Sequence, residues 1–297
     1  MNLIKRTLPF ILIMGLFHSC SFFDPPGQIP SYIHIDSIGL TTNYNTQGTA
    51  SHNIVDAWVY VDEVLNGVYQ LPATIPVLAS GVHQIDVHPG VLVDGINALR
   101  EAYPFYTFFT KSYNLTPQQI TTINPTVTYY SGIPMTWYED FHSGMTMVNV
   151  IPGCDSLNIV PTNAFPGYPN SGTPNCGYVY LFSSSSSNTS YFEYNTPSYL
   201  LPTNGSSSVY LEMNYMGTNT IRVGVLPIAP PNYIAYTDDT VCEIYPSTTW
   251  KKIYIDLTSV CGAYPTNNGF KIFVAALLDP GLNNAEIYID NLKLIHQ

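Results

Sequence analysis

From residue 31 to the C-terminus the apolar residues recur with period two, and no stretch shows the i, i+3, i+4 spacing of an amphipathic helix. Tyr32-Ile33-His34-Ile35-Asp36 alternates in this way. So do Ala57-Trp58-Val59-Tyr60-Val61-Asp62 and Val82-His83-Gln84-Ile85-Asp86-Val87-His88. Gly and Pro close the runs, as Gly81 and Pro89-Gly90 do around the third. Later runs at 209–215, 221–225, 250–257, 270–277 and 286–294 follow the same rule. Short strands rich in β-branched and aromatic residues, with 24 prolines to turn the chain, predict an all-β protein of two β-sandwich domains.

The N-terminus is of another kind. Lys5 and Arg6 precede an apolar stretch, 8–17, that is too short to cross a bilayer as a helix. This reads as a cleaved signal peptide over 1–19. Phe17-His18-Ser19-Cys20 resembles the lipobox of bacterial lipoproteins, in the looser form of the Bacteroidota. The resemblance implies that Cys20 carries acyl chains such as palmitate, several of which give stable anchoring where one would not. It places the protein at the outer membrane, on the cell surface or the periplasmic face. Residues 20–30, with three prolines and Gly27, form the lipidated Cys and a tether.

Only 10% of the residues are charged, against about a quarter in a typical globular protein. Loss of Lys5 and Arg6 takes the formal charge from −11 to −13. A chain this acidic lacks the basic patches that nucleic acid requires. Besides Cys20, Cys154, Cys176, Cys242 and Cys261 remain, an even number in an exported chain, which predicts two disulfides. Of the three pairings, Cys154–Cys176 and Cys242–Cys261 close local loops worth roughly 3 kcal/mol each. A zinc site lacks paired C-x-x-C spacing.

Two resemblances divide the remainder. In 31–135, Asp56-Ala57-Trp58-Val59-Tyr60-Val61-Asp62, Gly67, Leu71-Pro72-Ala73-Thr74 and Gly81-Val82-His83-Gln84-Ile85-Asp86-Val87 are similar to a PEGA-type, Ig-like β domain. This region also resembles a group of uncharacterised Bacteroidota outer-membrane lipoproteins. In 136–297, the opening Trp137-Tyr138-Glu139-Asp140-Phe141 and the closing Tyr288-Ile289-Asp290-Asn291-Leu292 resemble jelly-roll domains of the carbohydrate-binding and galactose-binding-like type. That likeness implies a jelly roll. It also implies a structural Ca²⁺ between the first and last strands, on Glu139 or Asp140 and Asp290. Calcium takes six to eight oxygens, from carboxylates and carbonyls.

Flat aromatic rings stack on the C–H face of a sugar, so Tyr168, Tyr178, Tyr215, Tyr233, Tyr236 and Tyr264 are the candidate ligand-binding residues. Glu139, Glu212, Glu243 and Glu286 could supply an acid and a base for glycoside hydrolysis, but nothing pairs them by spacing. No nucleophile, metalloprotease or phosphate-loop motif is present. The expectation is therefore a non-catalytic lipoprotein whose C-terminal jelly roll binds a glycan. A structural or accessory subunit of an outer-membrane complex is the alternative, and a glycoside hydrolase a weaker one.

Overall fold

The computed structural model describes residues 27–142, 144–149, 151–161, 175–183, 190–231 and 237–297. The leader, Cys20, Tyr168, Tyr233 and Tyr236 lie outside these. The chain is almost entirely β. Among the described residues the two helices, Tyr44–Gln47 and Thr258–Gly262, are each about one turn, too short to leave a periodicity in the sequence.

The N-terminal half packs two main sheets face to face. One has the order Ala73–Val77, Ser31–Ile35, Ile120–Ile123. The other is centred on the long strand Gly81–Leu92, which pairs with Asp56–Val61 on one side and with Phe109–Leu115 and Arg100–Ala102 along its length. Alternation decides what is buried. Ile33, Ile35, Ile75 and Val77 face Ala57, Val59, Ile85 and Val87 in a dry core, and residues between them on each strand turn outward.

The C-terminal half is a jelly roll. Its wide sheet runs Asn158–Pro161, Asn175–Phe182, Asn284–His296, Val209–Gly217, Ser247–Asp256, with Met135–Glu139 also paired to the end of Asn284–His296. Its narrow sheet runs Val148–Asn149, Tyr191–Asn195, Phe270–Leu277, Ile221–Pro227, Asp239–Ile244. All pairs are antiparallel, and from Asn175 onward the chain crosses repeatedly from one sheet to the other. Leu211, Met213, Ile287, Ile289, Leu292 and Leu294 of the wide sheet meet Phe192, Val223, Val225, Ile272 and Val274 of the narrow one. The last strand is therefore the middle of the wide sheet rather than a closing edge. Gly224 is required where the narrow sheet is tightest. A Cβ there would stand 2.0 Å from the Asp239 carbonyl oxygen.

The two halves share a buried boundary. Tyr210, Tyr254 and Ile295 of the wide sheet belong to the N-terminal core, where Tyr103 meets Tyr254 and Tyr210 ring to ring at 4.7 and 5.4 Å. The outer face of Ser247–Asp256, which alternation alone would give to solvent, is thus half covered. Beneath this boundary Glu212 is fully buried. It accepts hydrogen bonds from the hydroxyls of Tyr103 (2.9 Å) and Tyr129 (2.8 Å) and pairs with Lys252 at 2.9 Å. Lys293, also buried, donates to the Thr49 carbonyl oxygen at 2.7 Å and to Tyr129 at 3.3 Å.

The expected disulfides are not formed: Cys154, Cys176, Cys242 and Cys261 are free thiols. Parity explains the first pair. Cys176 alternates with Tyr178 out of the wide sheet, whereas Cys154 packs against the core on the other side. Cys242 and Cys261 both enter the core, but Cys242 directs its thiol to the Asp94 carbonyl oxygen, 3.6 Å away. Burial pushes the thiols of Cys176, Cys242 and Cys261 up to about 12, which keeps them protonated.

Candidate functional site

The N-terminal half covers one part of the wide sheet's outer face. On the other part stand Tyr178, Tyr180 and Phe182 of Asn175–Phe182, Glu286 and Tyr288 of Asn284–His296, and Trp250 of Ser247–Asp256; Tyr178 and Trp250 are half-buried and Tyr288 is buried. Tyr178 and Tyr288 are directly opposite across the strands, and directly opposed residues point to the same face. Their rings are 5.0 Å apart, and Trp250 lies 6.5 Å from Tyr288 on the far side. Glu286 accepts from both phenols, at 3.2 Å from Tyr178 and 3.0 Å from Tyr288, which fixes the two rings from one point. The result is a row of aromatic faces across the strands, with Tyr180 and Phe182 exposed beside it.

The row leads into a cavity of about 610 Å³ where the two halves meet, and Trp250 is one of its walls. His52, Asn53 and Asn97 come from the N-terminal half, Asn214 and Lys252 from the wide sheet. Asn214 is buried. Its amide nitrogen donates to Ser51 Oγ at 2.8 Å, and its Oδ1 has no partner. Burial, and then the charge of Lys252, lower the pKa of His52, so its ring is neutral at pH 7. Burial, and then Lys252, likewise bring Lys293 down to about 7 against the pull of Glu212.

Of the tyrosines singled out from the sequence, Tyr178 is on this row. Tyr215 alternates inward with Leu211 and Met213 and packs in the core between the sheets, and it also contributes to the lining of the cavity. Tyr264 packs against the same core and donates its hydroxyl to Asp239 at 2.8 Å. Trp250, Tyr288 and Glu286 form the row with it. Their signal was a shared face on three strands, which becomes visible only when strand order and register are known.

The four glutamates considered as an acid–base set do not face one another. Glu212 is at the buried boundary, Glu139 is buried at the start of the jelly roll, Glu243 pairs with Arg222 on the narrow sheet, and Glu286 sits between the tyrosines. Glu139 accepts from Thr146 N at 2.6 Å and Thr146 Oγ1 at 2.7 Å. Asp140 accepts from the hydroxyls of Tyr44 and Tyr138 at 2.7 and 2.6 Å. Asp290 is fully buried and accepts from Asn291 N at 2.7 Å. Its carboxyl is pushed up to about 9 by burial and then by the nearby charges of Asp140 and Glu139. The three acids thus lie within electrostatic reach of one another. Among the described residues, however, no three acidic, His or Cys side chains are arranged as a ready metal cage.

No known protein family matches this sequence, and no curated protein does. Solved structures similar to it include the CBM22-2 xylan-binding domain from Paenibacillus barcinonensis Xyn10C, at 14% identity over 54% of this chain and 99% of that one, with a TM-score of 0.38. The family 11 carbohydrate-binding module of the cellulosomal cellulase Lic26A-Cel5E of Clostridium thermocellum is 15% identical over 57% of this chain and 96% of its own, with a TM-score of 0.39. The K1 cleaved adhesin domain of Lys-gingipain from Porphyromonas gingivalis W83 is 14% identical over 53% and 96%, with a TM-score of 0.34. The chain is an all-β protein with a C-terminal jelly roll by its own strand order.

Proposed function

We propose that this chain is a non-catalytic glycan-binding lipoprotein of the cell envelope. The observation that carries the reading is the row Tyr178, Tyr288, Trp250 entering a cavity walled by amides. Stacked rings offer a sugar its apolar contact, and Asn53, Asn97 and Asn214 offer donors and acceptors for its hydroxyls. The described lining of the cavity contains no carboxyl, so the two acids of a glycosidase have no place in it. Trp250→Ala and Tyr288→Ala should each weaken glycan binding about tenfold to a hundredfold, the range of roughly 1.4–2.8 kcal/mol for one buried anchor. Tyr264→Ala should leave binding unchanged. Calorimetry on glycans that the wild type retains separates these outcomes, and equal losses in all three would sink the assignment of the site.

Anchoring at Cys20 is part of the proposal. Cys20→Ser should end incorporation of labelled palmitate and move the protein from the membrane to the soluble fraction. Retention of label by the variant would defeat it. A calcium ion near Asp290 is proposed as well, because a cation is what would let this buried carboxyl ionise beside Glu139 and Asp140. A second reading, an accessory subunit of an outer-membrane complex, is favoured by one observation. Ile29 and Leu78 line a shallow groove in the N-terminal half, and Val82 and Ile120 are also exposed there.

A further inference from the structure

The chain has 20 acidic and 9 basic residues, yet the described lining of the cavity beside Trp250 includes Lys251 and Lys252 and no Asp or Glu. The charge behind it is also unbalanced. Lys252 is paired with the one buried carboxylate there, Glu212, and Lys293, brought down to about 7, adds a partial positive charge at neutral pH. Glu212 is already engaged by Tyr103, Tyr129 and Lys252. A surplus of positive charge in a poorly solvated interior favours an anion in the adjoining space. The cavity also ends the aromatic row. Asp94 N donates to the Tyr254 carbonyl oxygen at 2.8 Å, and Asp256 N donates to Asp94 Oδ1 at 3.0 Å. The turn after Val93 is thereby fastened across the strand beyond Ile253. Gly95 and Asn97, which follow this turn, line the cavity together with Trp250, so a polymer lying along Tyr178, Tyr288 and Trp250 leads into it, where the unpartnered Oδ1 of buried Asn214 can accept from a hydroxyl.

We propose that this cavity receives the terminal residue of an acidic glycan, a uronic acid or similar carboxylated sugar, with its ring against Trp250 and its carboxylate on the side of Lys252. The inference rests on the glycan reading above and names the class and the end of the ligand. A cavity of about 610 Å³ is within the range of pockets that enclose small ligands, roughly 300–1,000 Å³, and so admits a terminal sugar ring.

The test uses the full chain and three probes in calorimetry. They are an oligosaccharide ending in glucuronic acid, the same compound with that carboxyl reduced to an alcohol, and the same compound with the uronate capped by a neutral sugar. The first should bind at least about tenfold more tightly than either of the others, a difference of about 1.4 kcal/mol. Asn97→Asp, nearly isosteric and at an exposed position, places a carboxylate in the lining. It should remove that preference, weakening the acidic probe at least about tenfold more than the reduced one. Equal affinity for the acidic and reduced ends, or a preference that survives Asn97→Asp, overturns the inference. If in that case binding still depends on Trp250, the glycan reading stands and only this inference fails. Binding to none of the probes, with no glycan of any class retained, overturns both.

Discussion

Replacing Glu212 by Ala should cost about 3–5 kcal/mol of unfolding free energy, the penalty for leaving buried charge without its partner. Glu212 is fully buried, and it is the carboxylate to which Lys252 is paired and by whose charge Lys293 is stabilised. Burial pushes its pKa up, but Lys252 and then Lys293 outweigh that and hold the carboxyl below its usual range. Without it, Lys252 is left with no counter-charge, Lys293 loses the charge that favours its protonated form, and the hydroxyls of Tyr103 and Tyr129 lose their acceptor. Because Tyr210 and Tyr254 belong to the N-terminal core, the damage should reach both halves. The double replacement Glu212→Gln with Lys252→Met removes one charge of each sign. It should recover most of the loss, since a buried pair replaced as a unit is often nearly neutral. Denaturant midpoints compare the three proteins. A single variant within about 0.5 kcal/mol of the wild type would show that the boundary is open to water.

The second large effect is on pH dependence. In metal-free buffer the carboxyl of Asp290, pushed up to about 9 by burial and then by Asp140 and Glu139, keeps its proton in the folded state. In the unfolded chain it loses that proton near pH 4. Between those values the folded state binds more protons than the unfolded one, so this group subtracts stability as pH rises from about 4 to about 9. Lys293 acts the other way, between about 7 and its ordinary value near 10.5, because its folded state releases a proton first. Between pH 5 and 7 the shifted histidines His52, His83 and His88 also titrate, but they are common to the wild type and Asp290→Asn, so the difference between the two proteins in this window reports Asp290. At about 1.4 kcal/mol per pH unit, Asp290→Asn should gain on the wild type by roughly 2–3 kcal/mol across it. Millimolar Ca²⁺ should stabilise the wild type at pH 7 and not the variant, and should flatten the wild-type slope. Parallel pH profiles for the two proteins would show that Asp290 is solvated. An unchanged wild-type profile with Ca²⁺ would remove the ion from the account.

Much of the fold was legible because period two survives wherever a sheet has one wet and one dry face. It read well at Ser31–Ile35 and in most of Gly81–Leu92. It failed where the backbone breaks the period. At Asn291 φ is 50°, and the register against Val209–Gly217 shifts between Glu212 and Asn214. This bulge places Asp290 and Lys293 on the outer face while Leu292 and Leu294 enter the core. Plain alternation would put Asp290 with the leucines. The buried boundary was hidden for a related reason. Glu212, Lys252 and Lys293 read one at a time as solvent-facing polar positions, and only docking of the N-terminal half makes them interior. Among the tyrosines, composition could not separate Tyr178 from Tyr215, because both look alike until parity assigns one outward and one inward. For Cys154 and Cys176 the same point decides, since closeness in sequence says nothing about which face of a strand carries the thiol.

The most direct test of the central claim is a broad glycan array probed with the full chain and, in parallel, with the Trp250→Ala/Tyr288→Ala double variant. The wild type should retain a defined class of glycans, and the folded double variant should retain none of them. A wild type that retains no glycan, or a double variant that retains the same set at the same strength, would contradict the assignment of the aromatic row on the wide sheet's outer face as a sugar-binding surface.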